Sequence, residues 1–208
     1  FDDLPDLDAA TAYTGNDEDF IRVTGDGLYS DGDVATLGVP IRMTEDVDVG
    51  GSAGAASLTI SKGNTFEFEE GAFLQVNDDG KLAVSGTADE RVVFRGTNEN
   101  AGWWGGVRIQ SDSQENVLEH VTISDTGNRQ GTVSAAFSLT GSGANSSATL
   151  NDVTLEESSG AALYFEGFGG KHILRGCSNI EINNCASDAV NSSGDTKPLS
   201  EVESELCE

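Results

Sequence analysis

Positive charge is scarce in this chain. Only 11 of its 208 residues are Lys or Arg, against 36 Asp and Glu, for a net charge of -25. Lysine occurs four times, at 62, 81, 171 and 197. Such a surface repels phosphate backbones, which excludes nucleic acid as a partner. It repels anionic membranes and acidic polysaccharides as well, unless a cation bridges them. The plain reading of the acidity is a well-solvated secreted surface; the sharper one is a saline habitat or divalent-cation binding. Long apolar runs are also missing, and nothing approaches the ~20 residues of a membrane helix, so no membrane insertion is expected. Proline occurs three times and strong helix formers do not cluster, whereas glycine occurs 26 times. That balance argues for an all-β chain with many turns. The chain starts at Phe1 without a methionine or a signal-peptide pattern, which reads as a processed or excised piece. At this length one domain is expected, burying about 70% of its unfolded surface.

Chemical motifs are sparse too. No Ser-His-Asp signature, phosphate loop or zinc spacing occurs. His172 has no visible partner in the sequence pattern.

What the chain has is internal repetition. "LEHVTISD" from Leu118, "LNDVTLEES" from Leu150 and "CSNIEINN" from Cys177 share one apolar and polar pattern, their starts 32 and 27 residues apart. A second series interleaves: "LTISKG" from Leu58, "LAVSG" from Leu82, "VRIQS" from Val107, "FSLTG" from Phe137 and "LYFEG" from Leu163. Its spacings are 24, 25, 30 and 26 residues. Each segment is a short strand with alternate residues apolar. Like-with-like similarity at one-coil spacing suits a solenoid in which each strand lies on its counterpart below. The expected inward columns are Leu58, Leu82, Val107, Phe137 and Leu163, and Ile60, Val84, Ile109, Leu139 and Phe165. Further columns are Val121, Val153 and Ile180, and Ile123, Leu155 and Ile182.

The stretch "LTISKGNTFEFEEGAFLQVNDDGKLAVSGTADERVVFRG", followed by "WWGGVRIQSDSQENVLEHVTISDTG", resembles the pectate-lyase-like superfamily, specifically its secreted repeat modules. The resemblance spans roughly residues 55 to 190. It implies a right-handed parallel β-helix, here of about five to six coils with a short C-terminal capping helix. The expected organisation is an acidic arm and cap strands over 1–50, the β-helix over 51–195 and a cap over 196–208. In that cap, "KPLSEVESELCE" reads as a helix with a capping box from Ser200 to Glu203. Polysaccharide lyases of this superfamily combine an acidic calcium cluster with a basic residue, and its hydrolases use clustered aspartates. Neither arrangement lines one outward face here, which weighs against an enzyme.

Several residues stand out on the outward faces. Arg108, Gln110, Tyr164 and Glu166 gather late in the outward columns, where an arginine, an amide, a phenol and a carboxylate could hold a sugar. The plainer reading is an ordinary polar face. Trp104-Gly105-Gly106-Val107 matches a corner element of the resembling modules, with the indole covering the core. Trp103 then points the other way and is the candidate to stack on a sugar ring. His120, Asp152 and Asn179 share a column, read as a hydrogen-bonded stack at a turn rather than as a catalytic pair. Asp26, Asp31 and Asp33 sit among glycines in "TGDGLYSDGD". They offer hard oxygen ligands for Ca²⁺, although the loop lacks the twelfth-position Glu of an EF-hand. Cys185 and Cys207, 22 residues or about one coil apart, are the expected disulfide, consistent with an oxidising extracellular location. The leading expectation is a non-catalytic secreted or cell-surface module for binding, adhesion or assembly, with a polysaccharide or cell-surface glycan as partner. The alternatives are a polysaccharide lyase or hydrolase, and a self-associating filament or surface-layer subunit.

Overall fold

A computed structural model describes residues 7, 10–25, 27–51, 54–77, 79–128, 133–141, 145–166, 172–205 and 207. The chain forms a parallel β-solenoid of about five turns. Three sheets run along it. Sheet A stacks β1 (Ile21–Val23), β4 (Ile41–Met43), β7 (Thr65–Phe68) and β10 (Val92–Gly96). Sheet B stacks β2 (Gly27–Leu28), β5 (Val47–Val49), β8 (Leu74–Val76), β11 (Val107–Ile109) and β13 (Ala135–Leu139). Sheet C stacks β3 (Gly32–Val34), β6 (Ala56–Ser61) and β9 (Gly80–Ser85). Three longer strands continue the stacks by passing from sheet to sheet: β12 (Val117–Ile123), β14 (Ser146–Phe165) and β15 (His172–Asn191). Every pairing among these strands is parallel. Only β16 (Thr196–Lys197) runs antiparallel, against the end of β15.

Alternation of apolar and polar residues drives this architecture. In each short strand one face turns inward and meets the same face one coil away, about 4.8 Å along the axis. In sheet A the inward ladder is Ile41, Phe66, Phe94, Ile123, Leu155 and Ile182. In sheet B it is Val47, Leu74, Val107, Phe137 and Leu163, beside Val49, Val76, Ile109, Leu139 and Phe165. In sheet C it is Val34, Ile60, Val84, Leu118, Leu150 and Cys177. All but Ile182 and Cys177, at the C-terminal end, are buried. Each such side chain contributes about 1.5 to 3 kcal/mol.

Two expectations are corrected by this register. Val107 pairs with Leu74, not Leu82, and the outward neighbour of Arg108 is Gln75, not Ala83. Leu58, Leu82, Thr59 and Ala83 belong to sheet C. A coil holds three strands, and strands of different sheets share one alternating pattern, so spacing alone exchanged them. The repeat also begins before residue 51: β1 to β5 pair in register with later coils. Residues 21–49 are therefore coils, not only cap strands.

The corners explain the polar column of His120, Asp152 and Asn179. All three adopt the left-handed conformation, with φ of 50°, 55° and 52°. They turn the chain from sheet C to sheet A. Asp125, Glu157 and Asn184 do the same from sheet A to sheet B, at 64°, 49° and 52°. Asp, Asn and His are the side chains that tolerate this region best. Arg91 spans two coils at the first corner, donating to Asp152 Oδ1 at 2.8 Å and to the Val121 and Asp152 carbonyls.

The tryptophan corner is structural. Trp104 is fully buried, and its Nε1 donates to the Ser124 carbonyl at 2.6 Å. Gly106 has φ of 86°, and a Cβ there would lie 2.3 Å from the Ala135 carbonyl oxygen, so only glycine fits.

The C-terminal end is closed by α1 (Leu199–Glu205), which buries Val202. The expected capping box does not form, because Ser200 lies inside the helix. Asp188 Oδ2 accepts the Leu199 N–H instead, at 3.0 Å. The disulfide is Cys177–Cys207, with Cα atoms 5.8 Å apart, which corrects the expected Cys185–Cys207 pair. The tail does not wind another coil. It crosses the open end, where Cys207 bridges beside Leu174 and reaches the last residue of the Leu118–Leu150 ladder. Cys185 stays a half-buried thiol, its pKa pushed up by burial.

Candidate functional site

The outer face of sheet B carries the site. Between coils, β5, β8 and β11 place Asp48, Gln75 and Arg108 in one outward column. The next outward column holds Gly50, Asn77 and Gln110. A groove of about 520 Å³ opens here, lined by Tyr29, Asp48, Gly50, Gly51, Gln75, Asn77, Asp79 and Gln110. Its floor at Gly50 and Gly51 is bare backbone.

The polar groups hold one another in place. Asp48 Oδ1 accepts from Gln75 Nε2 at 3.1 Å and from Asn77 Nδ2 at 3.0 Å. Gln75 Nε2 also donates to Asn77 Oδ1 at 2.9 Å, and Asn77 Nδ2 to the Gly50 carbonyl at 3.2 Å. Arg108 donates to Gln75 Oε1 at 3.3 Å, with its guanidinium 5.1 Å from the centre of the Phe73 ring. Burial pulls the Arg108 pKa down, opposed by Asp46, Tyr164 and Asp48. Burial also pushes the neighbouring Asp46 carboxyl up. The side chains thus sit in fixed positions, with two carboxylates and three amides bordering an open groove.

Of the residues singled out in the sequence, Arg108 and Gln110 come together here. Tyr164 shares the Arg108 column through Ser138 but is buried beside Val133, Ala161 and Val190. Glu166 Oε2 accepts the Gly141 N–H at 2.6 Å and holds a loop. Trp103 is half-buried, its Nε1 donating to Thr97 Oγ1 at 3.0 Å and its ring lying against Gly96. The exposed large apolar side chain among the described residues is Tyr29. Tyr29, Asp48, Gln75, Asn77 and Asp79 were missed in the sequence. Their strands, "VDV" at 47, "LQV" at 74 and "VRI" at 107, share one alternation at 27 and 33 residues, but over only three residues each.

Asp31 Oδ1 accepts the Ser57 N–H at 2.9 Å, Asp33 lies opposite Thr59, and Asp26 lies outside the described residues. Among the described residues no group of three His, Cys, Asp or Glu gathers as a metal site.

Three other chemical clusters do structural work. His120 Nδ1 lies 3.0 Å from Asp152 Oδ2, but Arg91 shares the same carboxylate and all three bind the corner. His172, which had no visible partner in the sequence, sits 2.8 Å from Ser146 Oγ, with both side chains buried. On sheet A, Glu67 lies between Arg42 at 2.9 Å and Arg95 at 2.7 Å, one coil to either side. Compared with known proteins, the chain matches no family model, no curated protein and no solved structure.

Proposed function

We propose that this chain is a non-catalytic β-helix module that binds an extracellular glycan on the outer face of sheet B. The observation that supports it is the groove beside Asp48, Gln75, Asn77 and Gln110. The groove sets fixed amides and carboxylates beside one aromatic ring, groups that match the hydroxyls and the C–H face of a sugar. The parallel solenoid agrees with the resemblance to secreted pectate-lyase-like modules, although fold alone does not carry function. The Cys177–Cys207 disulfide supports an oxidising, extracellular setting. The His–Asp pair that the structure joins is spent on a corner, which favours binding over catalysis.

Calorimetric titration with a panel of soluble oligosaccharides, paired with reducing-end and unsaturated-product assays, tests this. Binding without turnover is expected. New reducing ends or unsaturated products would replace the reading with a hydrolase or a lyase.

A further inference from the structure

We infer that the groove selects a neutral hexopyranose, stacked on Tyr29, and rejects uronates; this rests on the glycan-binding reading above. The first support is how the Tyr29 ring is placed. Gly27 pairs with Asp48 in the next coil, so a side chain at 27 would head the outward column. There is none, and the Tyr29 ring lies over that place: a Cβ on Gly27 would fall 2.4 Å from Tyr29 Cζ. The column therefore reads aromatic ring, carboxylate, amide, guanidinium, one group per coil, about 4.8 Å apart. Tyr29 is 38% exposed and lines the groove.

The chemistry follows from this order. A pyranose presents a C–H face that packs on an aromatic ring and a rim of hydroxyls that donate and accept. Beside the ring, Asp48 offers a carboxylate for hydroxyl donors, and Asn77 and Gln110 offer amides on the flanking column. The hydrogen bonds among Asp48, Gln75 and Asn77 fix these groups before a ligand arrives, which lowers the ordering cost of binding. Gly50 and Gly51 border the same groove. Charge then decides the class of sugar. Asp48 and Asp79 both line the groove. A uronate carboxylate about 4 Å from either would cost about 1 kcal/mol in open water, and more where the groove excludes water. The nearby guanidinium of Arg108 is engaged by Gln75 and lies over Phe73.

The test is calorimetry with neutral hexose hexamers (cellohexaose, maltohexaose, mannohexaose) and with hexagalacturonate, on wild type and on Tyr29→Ala, Gly27→Val and Asp48→Asn. Gly27→Val displaces the ring while leaving Tyr29 and every polar group in the chain. Tyr29→Ala removes an exposed side chain and spares the core, so it keeps the test open if the valine variant fails to fold. A neutral hexose hexamer should bind wild type, and each of the two ring variants should weaken it about tenfold. Preference for hexagalacturonate, or neutral binding unchanged in Tyr29→Ala, would overturn the inference and leave the glycan-binding reading in place. Heat from none of the hexamers would overturn both.

Discussion

The indole of Trp104 stacks on the Phe68 ring, with centroids 4.2 Å apart and planes 5° from parallel. The contact joins a corner to the sheet A core, and Phe68 in turn lies 6.4 Å from Phe94. Trp104→Ala should therefore cost about 3 to 5 kcal/mol, read by denaturant unfolding. A loss under 1 kcal/mol would mean that the indole is peripheral. Trp103→Phe, which removes the bond to Thr97 and trims a half-buried ring, should cost less.

Ile109 is fully buried between Val76 and Leu139. A carboxylate there has no partner and no water. Ile109→Asp should abolish cooperative folding. A soluble variant with a sharp melting transition would contradict the inward placement of this ladder.

Glu67 serves two arginines from a nearly buried position, and Phe20 lies 3.8 Å beneath the Arg42 guanidinium. Glu67→Ala would leave two cations, two coils apart, without the carboxylate between them. A loss of about 1 to 3 kcal/mol is expected, below the cost for a fully buried pair because both arginines keep water contact. Arg42→Met in the Glu67→Ala background should recover part of it, as a double-mutant cycle would show.

Acid stability should depend on Asp152. The hydrogen bond from Arg91 is the main reason its carboxyl sits below the usual range, with His120 assisting. The folded state thus favours the ionised form. That contribution is present above about pH 4, the ordinary carboxylate value, and is lost as the pH falls through the lowered one. Asp152→Asn, which keeps a residue suited to the left-handed corner, should flatten the acid side of a melting-temperature profile. An unchanged profile would remove Asp152 from the account of acid unfolding.

The disulfide closes 30 residues of chain over the end of the solenoid. Cys177→Ser should cost about 2 to 4 kcal/mol, whereas Cys185→Ser should be nearly neutral. Equal losses in thermal unfolding would show that the pairing is wrong.

Much of the architecture was legible because alternation at coil spacing is a strong signal. The ladders through Val121, Val153 and Ile180, and through Ile123, Leu155 and Ile182, stand as read. So do the burial of Trp104 and the turn at His120, Asp152 and Asn179. The groove was not legible. Its residues come from two- and three-residue strands, too short for a period to declare itself, in coils whose acidic loops mask the repeat. Tyr29 shows the limit most clearly: its place depends on the absence of a side chain at Gly27, one coil above Asp48, and no linear pattern reports that. The disulfide failed for a different reason. Spacing of one coil favoured Cys185, but the tail crosses the end of the solenoid rather than winding on.

The register of sheet B decides which side chains border the groove, and engineered disulfides read it directly. In a Cys185→Ser background, Gln75→Cys with Arg108→Cys should oxidise to an intramolecular bridge, since the two positions are direct partners on adjacent parallel strands. Peptide mapping by mass spectrometry should recover that bridge, while Ala83→Cys with Arg108→Cys should stay reduced. Cross-linking of the second pair and not the first would contradict the stacking, and with it the outward column of Asp48, Gln75 and Arg108.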